Sequence, residues 1–165
     1  MASYLERRKE ADPEAERINQ SLAVTALNDQ GLSLEEKGDL GSAEPLFRRA
    51  VEIANSALGP DHPDTAGSLN NLASLLEAKG DYAAAEPLYR RALAIAEKTL
   101  GPSDPRTAMS LDNLAGVLEA KGDRPAAEAL YRRALAISEK TLGPSDQTTV
   151  QIREDLKELL RNRAR

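Results

Sequence analysis

The chain has 165 residues, 41% hydrophobic and 30% charged, a composition typical of a globular protein with one domain or a short array of repeats. Because the chain has no cysteine, disulfide frameworks, thiolate metal sites and thiol nucleophiles are excluded. Because it has one histidine, metal sites and catalytic triads that need imidazole groups are nearly excluded. Aromatic residues make up 3% of the sequence, which argues against a deep aromatic-lined cofactor pocket, and the net charge of -5 argues against general binding of nucleic acid.

The sequence also lacks the features of a secreted or membrane protein. Its first residues contain no apolar stretch of the kind that signal peptides carry, and no segment reaches the roughly 18 apolar residues that a membrane-spanning helix needs. We therefore expect a cytoplasmic protein that has no membrane partner.

A repeat with a period of 42 residues organises the sequence. The tripeptide Lys-Gly-Asp recurs at 37–39, 79–81 and 121–123, and residues 73–114 are identical to residues 115–156 at 28 of 42 positions. Such a period is the signature of a repeat array. We expect a charged N-terminal segment or cap at 1–20. Three units should follow over 21–146, at 21–62, 63–104 and 105–146. A C-terminal capping helix is expected at 147–165.

Each unit contains two predicted helices. In the second unit Ala66, Leu69, Leu72 and Leu76 recur at helical spacing, and Gly80 supplies the left-handed residue that ends the first helix. The aspartate that follows each of these glycines can cap the next helix. We predict helices at 13–37, 40–58, 64–79, 82–100, 105–121, 124–142 and 147–163, a further short helix at 3–11, and no strands.

Two features depart from a regular repeat. Pro45 and Pro87 lie about a turn and a half past the predicted caps, where proline costs roughly 3 kcal/mol in a regular helix, so we expect a late start or a kink. Arg124 stands where Leu40 and Tyr82 stand in the earlier units, which predicts a looser contact between the helices of the third unit.

The two ends are predicted from their apolar residues. Ile18 and Leu22 continue an apolar stripe at the N-terminal end, which could cap the array, remain loose or pair with another molecule. In the C-terminal helix, Arg163 and Arg165 contribute to a basic cover. The buried stripe of that helix is predicted to be Val150, Ile152, Leu156, Leu159 and Leu160.

Two segments of the second unit resemble the tetratricopeptide repeat. They are Leu69-x2-Leu72-Ala73-x2-Leu76 and Gly80-Asp81-Tyr82-x2-Ala85-x3-Tyr89-x2-Ala92-Leu93. Two further features are similar to the kinesin light chain subtype. One is the eight residues beyond the usual 34, which include Leu-Gly-Pro at 100–102, and the other is Asn-Asn-Leu-Ala at 70–73. The resemblance covers about 21–160. It implies an all-α fold: a right-handed α-solenoid of about three and a half stacked helix-turn-helix hairpins.

The first helix of the second unit carries an arc of small or polar residues opposite its apolar arc, and the first helices of the other two units carry the equivalent arc. This arc contains no lysine or arginine in any unit. Its members are Thr25, Asn28, Asp29, Leu32, Glu35 and Glu36; Gly67, Asn70, Asn71, Ser74, Glu77 and Ala78; and Met109, Asp112, Asn113, Gly116, Glu119 and Ala120.

The resemblance places this arc in a concave groove that binds peptides. It implies that the asparagines grip the peptide backbone, while the carboxylates favour ligands with lysine or arginine. Kinesin light chain grooves are, by the same resemblance, associated with acidic cargo peptides, so the charge here has the opposite sign. No cofactor and no metal site are indicated. The candidate groove residues are Asn28, Asp29, Glu35, Asn70, Asn71, Ser74, Glu77, Asp112, Asn113 and Glu119.

Other interpretations stay open at this point. The polar arc could be a plain solvated face without a ligand. An acidic groove and a basic C-terminus could associate head to tail, which would make the chain a self-associating scaffold, a homo-oligomer. The close similarity of the second and third units is also what an engineered or excised array would show.

The remaining signals favour structural roles. Paired arginines recur on the second helices, but glutamates are interleaved with them, so ion pairing is expected rather than nucleic-acid binding. His62-Pro63-Asp64 matches the tripeptide of J-domain cochaperones, yet its place between units indicates a turn and a helix start. Since neither a phosphate-binding loop nor a nucleophile constellation is present, the sequence does not indicate an enzyme.

Overall fold

In the computed structural model, residues 12–162 form seven α-helices, and this stretch contains no strand. Successive helices pack as hairpins, and each hairpin stacks on the next. A π-helical turn over Ala54–Leu58 continues the second helix. The helices are α1 (Pro13–Glu36), α2 (Leu40–Ile53), α3 (Pro63–Ala78), α4 (Tyr82–Thr99), α5 (Pro105–Ala120), α6 (Arg124–Thr141) and α7 (Gln147–Arg161).

The helix ends follow local capping chemistry. Gly80 has φ of 80° and ends α3, and the backbone N–H of Asp81 donates to the carbonyl of Leu76 at 2.8 Å. The Asp81 carboxylate then accepts from the N–H of Ala84 at 3.1 Å, which caps α4. The first and third units repeat this arrangement, so the predicted helices are confirmed to within two residues, apart from the end of α2. The predicted helix at 3–11 lies outside the described residues.

The single histidine caps a helix. Nδ1 of His62 accepts from the N–H of Asp64 at 3.2 Å, and Pro63 is the first residue of α3. Asp104 plays the same part before α5, where it accepts from the N–H of Arg106 at 2.8 Å. The interpretation of His62-Pro63-Asp64 as a turn and helix start is confirmed.

Pro45 and Pro87 lie inside α2 and α4 without delaying either helix. The helices begin at Leu40 and Tyr82, so the predicted late start is wrong. Each proline is exposed, and so is the residue four positions before it, whose carbonyl loses its helical partner. Water can bind that carbonyl, which lowers the cost of the missing hydrogen bond.

One hydrophobic core runs through the stack, from Phe47 in the first unit to Leu159 in α7. Alanines at the contacts between helices, such as Ala85 and Ala92, are fully buried and let the helices approach closely. The predicted apolar arc of α3 is buried, with no member more than 8% exposed: Ala66, Leu69, Leu72, Ala73, Leu75 and Leu76.

The N-terminal end of the stack is polar. Gln30 and Ser33 hold the positions of Leu72 and Leu75 in the second unit, where both leucines are buried. Gln30 is exposed and Ser33 half-buried, as expected for the terminal unit of an array, whose outer face meets water.

The first helix also extends beyond the first unit. Because α1 begins at Pro13, the predicted boundary between residues 20 and 21 falls inside one helix. Ile18 and Leu22 lie near this extension, and they are 54% and 63% exposed, so their apolar stripe is not buried within residues 12–162.

At the C-terminal end, α7 buries Ile152, Leu156 and Leu159 against the stack. Val150 is 40% exposed, so its predicted burial is wrong. It aligns with Ala66, which packs against the second helix of its own unit, and within residues 12–162 no such helix follows α7. Arg163 and Arg165 lie outside the described residues.

Arg124 links the start of α6 to the end of α7 by a hydrogen bond. Its Nη1 donates to the carbonyl of Asn162 at 2.8 Å, a contact that the sequence did not predict. Arg153 fastens the other end of α7, donating to Glu139 at 2.8 Å and to the carbonyl of Pro144 at 3.2 Å. Both arginines therefore help to hold the terminal helix on the array.

Gly31 marks a difference between the first unit and the others. A Cβ at this position would lie 2.5 Å from Cε1 of Phe47, well inside van der Waals contact. The second unit has Ala73 and Tyr89 at the corresponding positions, and the tyrosine hydroxyl there reaches Glu77. Phe47 thus fills the space that an alanine in the first unit would need.

We expect Gly31→Ala to lower the free energy of unfolding by up to about 2 kcal/mol, because an overpacking cost of about 1–3 kcal/mol exceeds the gain of roughly 1 kcal/mol in helix propensity. Gly67→Ala is the matched control, since nothing lies within 4 Å of its Cβ position, and it should stabilise the protein by up to about 1 kcal/mol. Urea denaturation measures both changes. Equal stabilisation by the two substitutions would contradict the overpacking.

Candidate functional site

The first helices α1, α3 and α5 expose the polar arc that the sequence predicted. We call this surface the first-helix face, and all ten candidate residues are exposed or half-buried members of it. Its members are Thr25, Asn28, Asp29, Leu32, Glu35, Glu36, Gly67, Asn70, Asn71, Ser74, Glu77, Ala78, Met109, Asp112, Asn113, Gly116, Glu119 and Ala120.

Asn28, Asn70 and Asp112 are half-buried residues at equivalent positions of the three units. In each of them Oδ1 is buried and has no hydrogen-bond partner in the described chain. Nδ2 of Asn28 donates to Oγ of Ser68 on the next first helix at 3.0 Å, so this amide also joins two units. These positions provide buried unpartnered acceptors at successive junctions, and sequence reasoning had not separated them from their neighbours.

Three cavities in the described chain form a row, one between α1 and α3, one between α3 and α5 and one between α5 and α7, and they are lined by Asp29, Asn71 and Asn113. The cavities have volumes of about 290, 340 and 250 Å³ in chain order. Each cavity is also lined by one of the residues that carry a buried unpartnered oxygen. On the first-helix face, each of these cavities therefore lies beside a buried oxygen that has no hydrogen-bond partner in the described chain.

Arg106 lines two of these cavities from the N-terminal end of α5. Its Nε lies 3.1 Å from Oδ1 of Asp104, so the guanidinium is already paired. Asp112 and Glu119 follow 6 and 13 residues later on the same helix, which corresponds to about 9 and 20 Å along its axis. The positive charge therefore stays at one edge of the face.

Two buried tyrosines of the second helices support carboxylates of the first-helix face. Tyr89 donates from its hydroxyl to Oε2 of Glu77 at 3.0 Å, and Tyr131 donates to Oε2 of Glu119 at 3.3 Å. Burial, with the nearby glutamates, raises the pKa of both tyrosines, which keeps the hydroxyls protonated as donors. Sequence reasoning missed this contact. The available signal was a tyrosine 12 residues after a glutamate in two units.

The first unit lacks this contact because Phe47 stands at the position of the tyrosine. Glu35 holds the position that Glu77 has in the second unit, and burial raises the pKa of its carboxyl group. The glutamates of the second and third units are thus held by a hydroxyl, whereas Glu35 receives no such bond from its own unit.

The carboxylates of the first-helix face form no ion pair within residues 12–162. These six residues are Asp29, Glu35, Glu36, Glu77, Asp112 and Glu119. In contrast, all six glutamates of α2, α4 and α6 are paired with lysine or arginine: Glu44, Glu52, Glu86, Glu97, Glu128 and Glu139.

Ion pairs on the second helices also link neighbouring units. Glu86 contacts Lys121 of the next unit and Arg90 of its own helix, and these hydrogen bonds hold the pKa of its carboxyl below the usual range. Glu44 is held in the same way by Lys79 and Arg48. The ion pairing predicted between arginines and glutamates of the second helices is confirmed.

Asp112 and Asp155 form a repulsive pair at the last junction. Burial, with added repulsion from Asp155, raises the pKa of Asp112 to about 7. Burial also raises the pKa of Asp155, against a hydrogen bond of 2.9 Å from Gln151. A cationic group placed here would offset the negative charge of the partly buried Asp112.

Other kinds of site have no structural support. Among residues 12–162, no group of three or more His, Cys, Asp or Glu side chains is arranged to hold a metal ion. No helix in this part of the chain is both long and apolar enough to cross a membrane.

The sequence matches the tetratricopeptide repeat (TPR) model at residues 22–98 and again at residues 64–140. No relative was found among curated proteins. Solved structures with this architecture are TPR proteins, so the predicted all-α repeat solenoid is confirmed.

Three of these structures cover most of the chain. A kinesin light chain-like protein of Podosopora anserina with nearly identical TPR-like repeats is 25% identical over 85% of this chain and 66% of that chain, with a TM-score of 0.79. BtubC (BKLC) of P. vanneervenii is 20% identical over 93% and 68%, with a TM-score of 0.70. The first TPR of Spaghetti (RPAP3), bound to the HSP90 peptide SRMEEVD, is 16% identical over 88% and 96%, with a TM-score of 0.66. The chain spans about two thirds of the length of the first of these structures.

We expect Asp112→Asn to stabilise the protein at pH 8 by roughly 1–3 kcal/mol and to change little at pH 4. Because the folded-state pKa of about 7 exceeds the ordinary 3.8, the folded protein keeps a proton that the unfolded chain has released between these values. Through this group, the stability of the unsubstituted protein falls as pH rises across that window and stays low above it. Asparagine cannot ionise, so it removes the loss.

Urea denaturation of both proteins at the two pH values measures this effect. Asp29→Asn is the matched control, because Asp29 is exposed on the same face, and it should change stability by less than about 0.5 kcal/mol at either pH. A gain from Asp112→Asn that is the same at both pH values would contradict the electrostatic explanation.

Proposed function

This chain belongs to the tetratricopeptide repeat family, and we propose that it is a protein-interaction module that binds a peptide segment carrying lysine or arginine in a concave groove lined by the first-helix face. The observation that carries the proposal is the difference in pairing between the two sets of helices. The second helices neutralise their own glutamates, whereas the carboxylates of the first-helix face have no cationic partner within residues 12–162.

A basic peptide would supply those partners. Charge-assisted hydrogen bonds between ammonium or guanidinium groups and carboxylates are about twice as strong as neutral ones. The raised pKa values of Glu35 and Asp112 support this preference, because both carboxylates are desolvated without a compensating charge. The acidic face would also attract a basic peptide before contact and speed its association.

Amide groups would hold the peptide backbone. Asn71 and Asn113 line the cavities and can donate and accept at once, and Asn28 and Asn70 each present an unpartnered oxygen nearby. Packed helices lie 8–10 Å apart, so three first helices span roughly 16–20 Å. About five or six residues of an extended peptide cover that distance.

Peptide binding is known within this fold, because the first TPR of Spaghetti (RPAP3) is solved with an HSP90 peptide. The end of that peptide, EEVD, is acidic. The unpaired carboxylates of the present chain favour a ligand of the opposite charge, so we carry over the location of the ligand and not its sequence. The kinesin light chain-like subtype, which agrees with two of the solved structures, likewise leaves the cargo open.

The alternative role, a self-associating scaffold, has less support. Head-to-tail stacking would need an apolar face at each end of the array. At the N-terminal end Gln30 and Ser33 are polar, and the exposed apolar surface there is limited to the stripe of Ile18 and Leu22; at the other end Glu154, Lys157 and Glu158 are exposed on α7. An engineered or excised array would have the same groove and would bind the same class of peptide.

The peptide proposal can be tested with a fluorescent peptide of alternating alanine and lysine, about nine residues or roughly 30 Å long when extended. We expect binding at least about tenfold tighter than to the analogue with glutamine in place of lysine, and weaker binding at high salt. Glu77→Lys combined with Glu119→Lys should weaken binding by at least about tenfold, because it reverses two carboxylates of the groove. Fluorescence anisotropy measures the affinities.

The matched control is Glu52→Lys combined with Glu158→Lys. It changes the net charge equally, but both residues are exposed outside the first-helix face, on α2 and α7, so affinity should fall less than about threefold. Circular dichroism checks that helicity is unchanged. Equal weakening by both pairs would show that only net charge matters and would contradict the groove assignment.

Light scattering decides between this module and the scaffold. We expect the mass of one chain across about a hundredfold range of protein concentration, because polar side chains interrupt the apolar surface at both ends of the array. A mass that rises with concentration would favour the self-associating scaffold instead.

A further inference from the structure

The junction between α5 and α7 carries carboxyl groups where the earlier junctions carry amides. The first two cavities of the first-helix face are each lined by a pair of asparagines at equivalent positions: Asn28 with Asn71, and Asn70 with Asn113. At the last junction the residues at these two positions are Asp112 on α5 and Asp155 on α7. An amide keeps its charge state at every ordinary pH, whereas a carboxyl group can gain or lose a proton.

The surroundings of Asp112 offer little compensation for a negative charge. Asp112 is half-buried, and its buried Oδ1 has no hydrogen-bond partner in the described chain. At the first junction, Nδ2 of the equivalent Asn28 donates to Oγ of Ser68 on the next first helix at 3.0 Å. The residue of α7 at the position of Ser68 is Ile152, which is fully buried and has no polar side-chain atom. Asp112 therefore lacks the polar partner that joins the first two units.

A second buried polar group at the start of α7 also lacks its usual partner. Thr65 and Thr107, at the starts of α3 and α5, each donate from Oγ1 to the carbonyl of a glycine, Gly59 or Gly101, at 2.8 Å. Thr149 is the equivalent residue of α7 and is fully buried, but its Oγ1 has no partner among residues 12–162. Because unpartnered buried polar groups cost free energy, α7 is docked less favourably than the earlier first helices.

The place of α7 in the array also favours local opening. Within residues 12–162, α7 packs against α5 and α6, whereas α5 packs against α3, α4, α6 and α7. Local opening costs least free energy in elements with few packed neighbours. The terminal helix can therefore separate from the stack while the earlier hairpins stay packed.

No basic group balances Asp112 at this junction. Burial, with added repulsion from Asp155 of α7, raises the pKa of Asp112 to about 7, and no lysine or arginine of the described chain lowers it. From α6, Tyr131 faces the same region with a hydroxyl that already donates to Glu119 of α5. Glu77 of α3 lies about one helical turn further along α5, and α4 contributes no charge that acts on Asp112.

We propose that α7 is a proton-controlled latch, a helix that stays docked on the array while Asp112 is protonated and opens locally when Asp112 ionises. This inference goes beyond peptide binding. Opening would separate the two helices that line the last cavity of the row, so the proton on Asp112 would decide whether that cavity exists.

The direction of the pH response follows from the pKa of Asp112. Its value of about 7 in the docked state exceeds the ordinary 3.8, so between these values the docked state holds a proton that the open state has released. Raising the pH across this window therefore favours opening, and the effect levels off above it. Linkage over this window gives at least about a tenfold increase in the open population between pH 5 and pH 8.

Hydrogen exchange followed by NMR tests the latch. Protection factors, which correct for the pH dependence of exchange itself, should fall at least about tenfold for amides of α7 between pH 5 and pH 8. At pH 8 the α7 amides should be at least about tenfold less protected than those of α3. Their exchange should also depend less on added urea, because a local opening exposes less surface than unfolding of the array.

Asp112→Asn removes the proton site and copies the asparagine of the first two units. In this variant the protection of α7 should change less than about threefold between pH 5 and pH 8. Asp29→Asn is the matched control, because it makes the same change at an exposed position of the same face and should keep the full fall. Circular dichroism checks that both variants are folded.

Three results would overturn the latch. One is protection of α7 that is equal at pH 5 and pH 8 in the unsubstituted protein. Another is a fall that persists in Asp112→Asn, because a different group would then cause it. The third is equal protection and equal urea dependence of α7 and α3 at pH 8, which would mean that α7 opens only when the whole array unfolds. These experiments contain no peptide, so their outcome is independent of the proposed function.

Discussion

Close packing of helices against small residues is the constraint on which the rest of this structure depends. Alanines at equivalent positions of the three second helices are fully buried: Ala43, Ala85 and Ala127, and, seven residues later, Ala50, Ala92 and Ala134. Alanine at these contacts lets each second helix lie against its first helix, so the hairpins stack around one continuous core. The opposite face of every first helix is then left in register along one side of the array.

The same stacking separates the charges. The second helix of one unit lies close enough to the end of the next first helix for Lys79 to reach Glu44 and for Lys121 to reach Glu86, so these glutamates are neutralised within the protein. The first helices carry carboxylates without lysine or arginine on the same face, and burial at the junctions withdraws some of them from water. Carboxylates without an ion pair in residues 12–162 thus lie on the surface that carries the cavities and the unpartnered oxygens.

Local signals explain why so much of the fold could be predicted. Gly80 and Asp81 end one helix and cap the next through contacts within a few residues, and the apolar spacing of α3 determines which side is buried. Contacts between distant residues were not predictable in this way. Arg124 meets Asn162, and Tyr89 meets Glu77, only because the turns and the stacking bring separate helices together. Val150 was misjudged for the same reason, since its burial depends on a helix that does not follow it in the described chain.

The sequence by itself determined the repeat, the helices, the apolar arcs and the position of the acidic face, because each is written in residue spacing along one helix or one 42-residue period. Only the tertiary structure decided how the members of that face differ. It turned Asn28, Asn70 and Asp112 into half-buried residues at the junctions, each with an unpartnered oxygen beside a cavity. The physical reason is that burial, pKa shifts and open space arise where two units meet, and no single repeat contains that information.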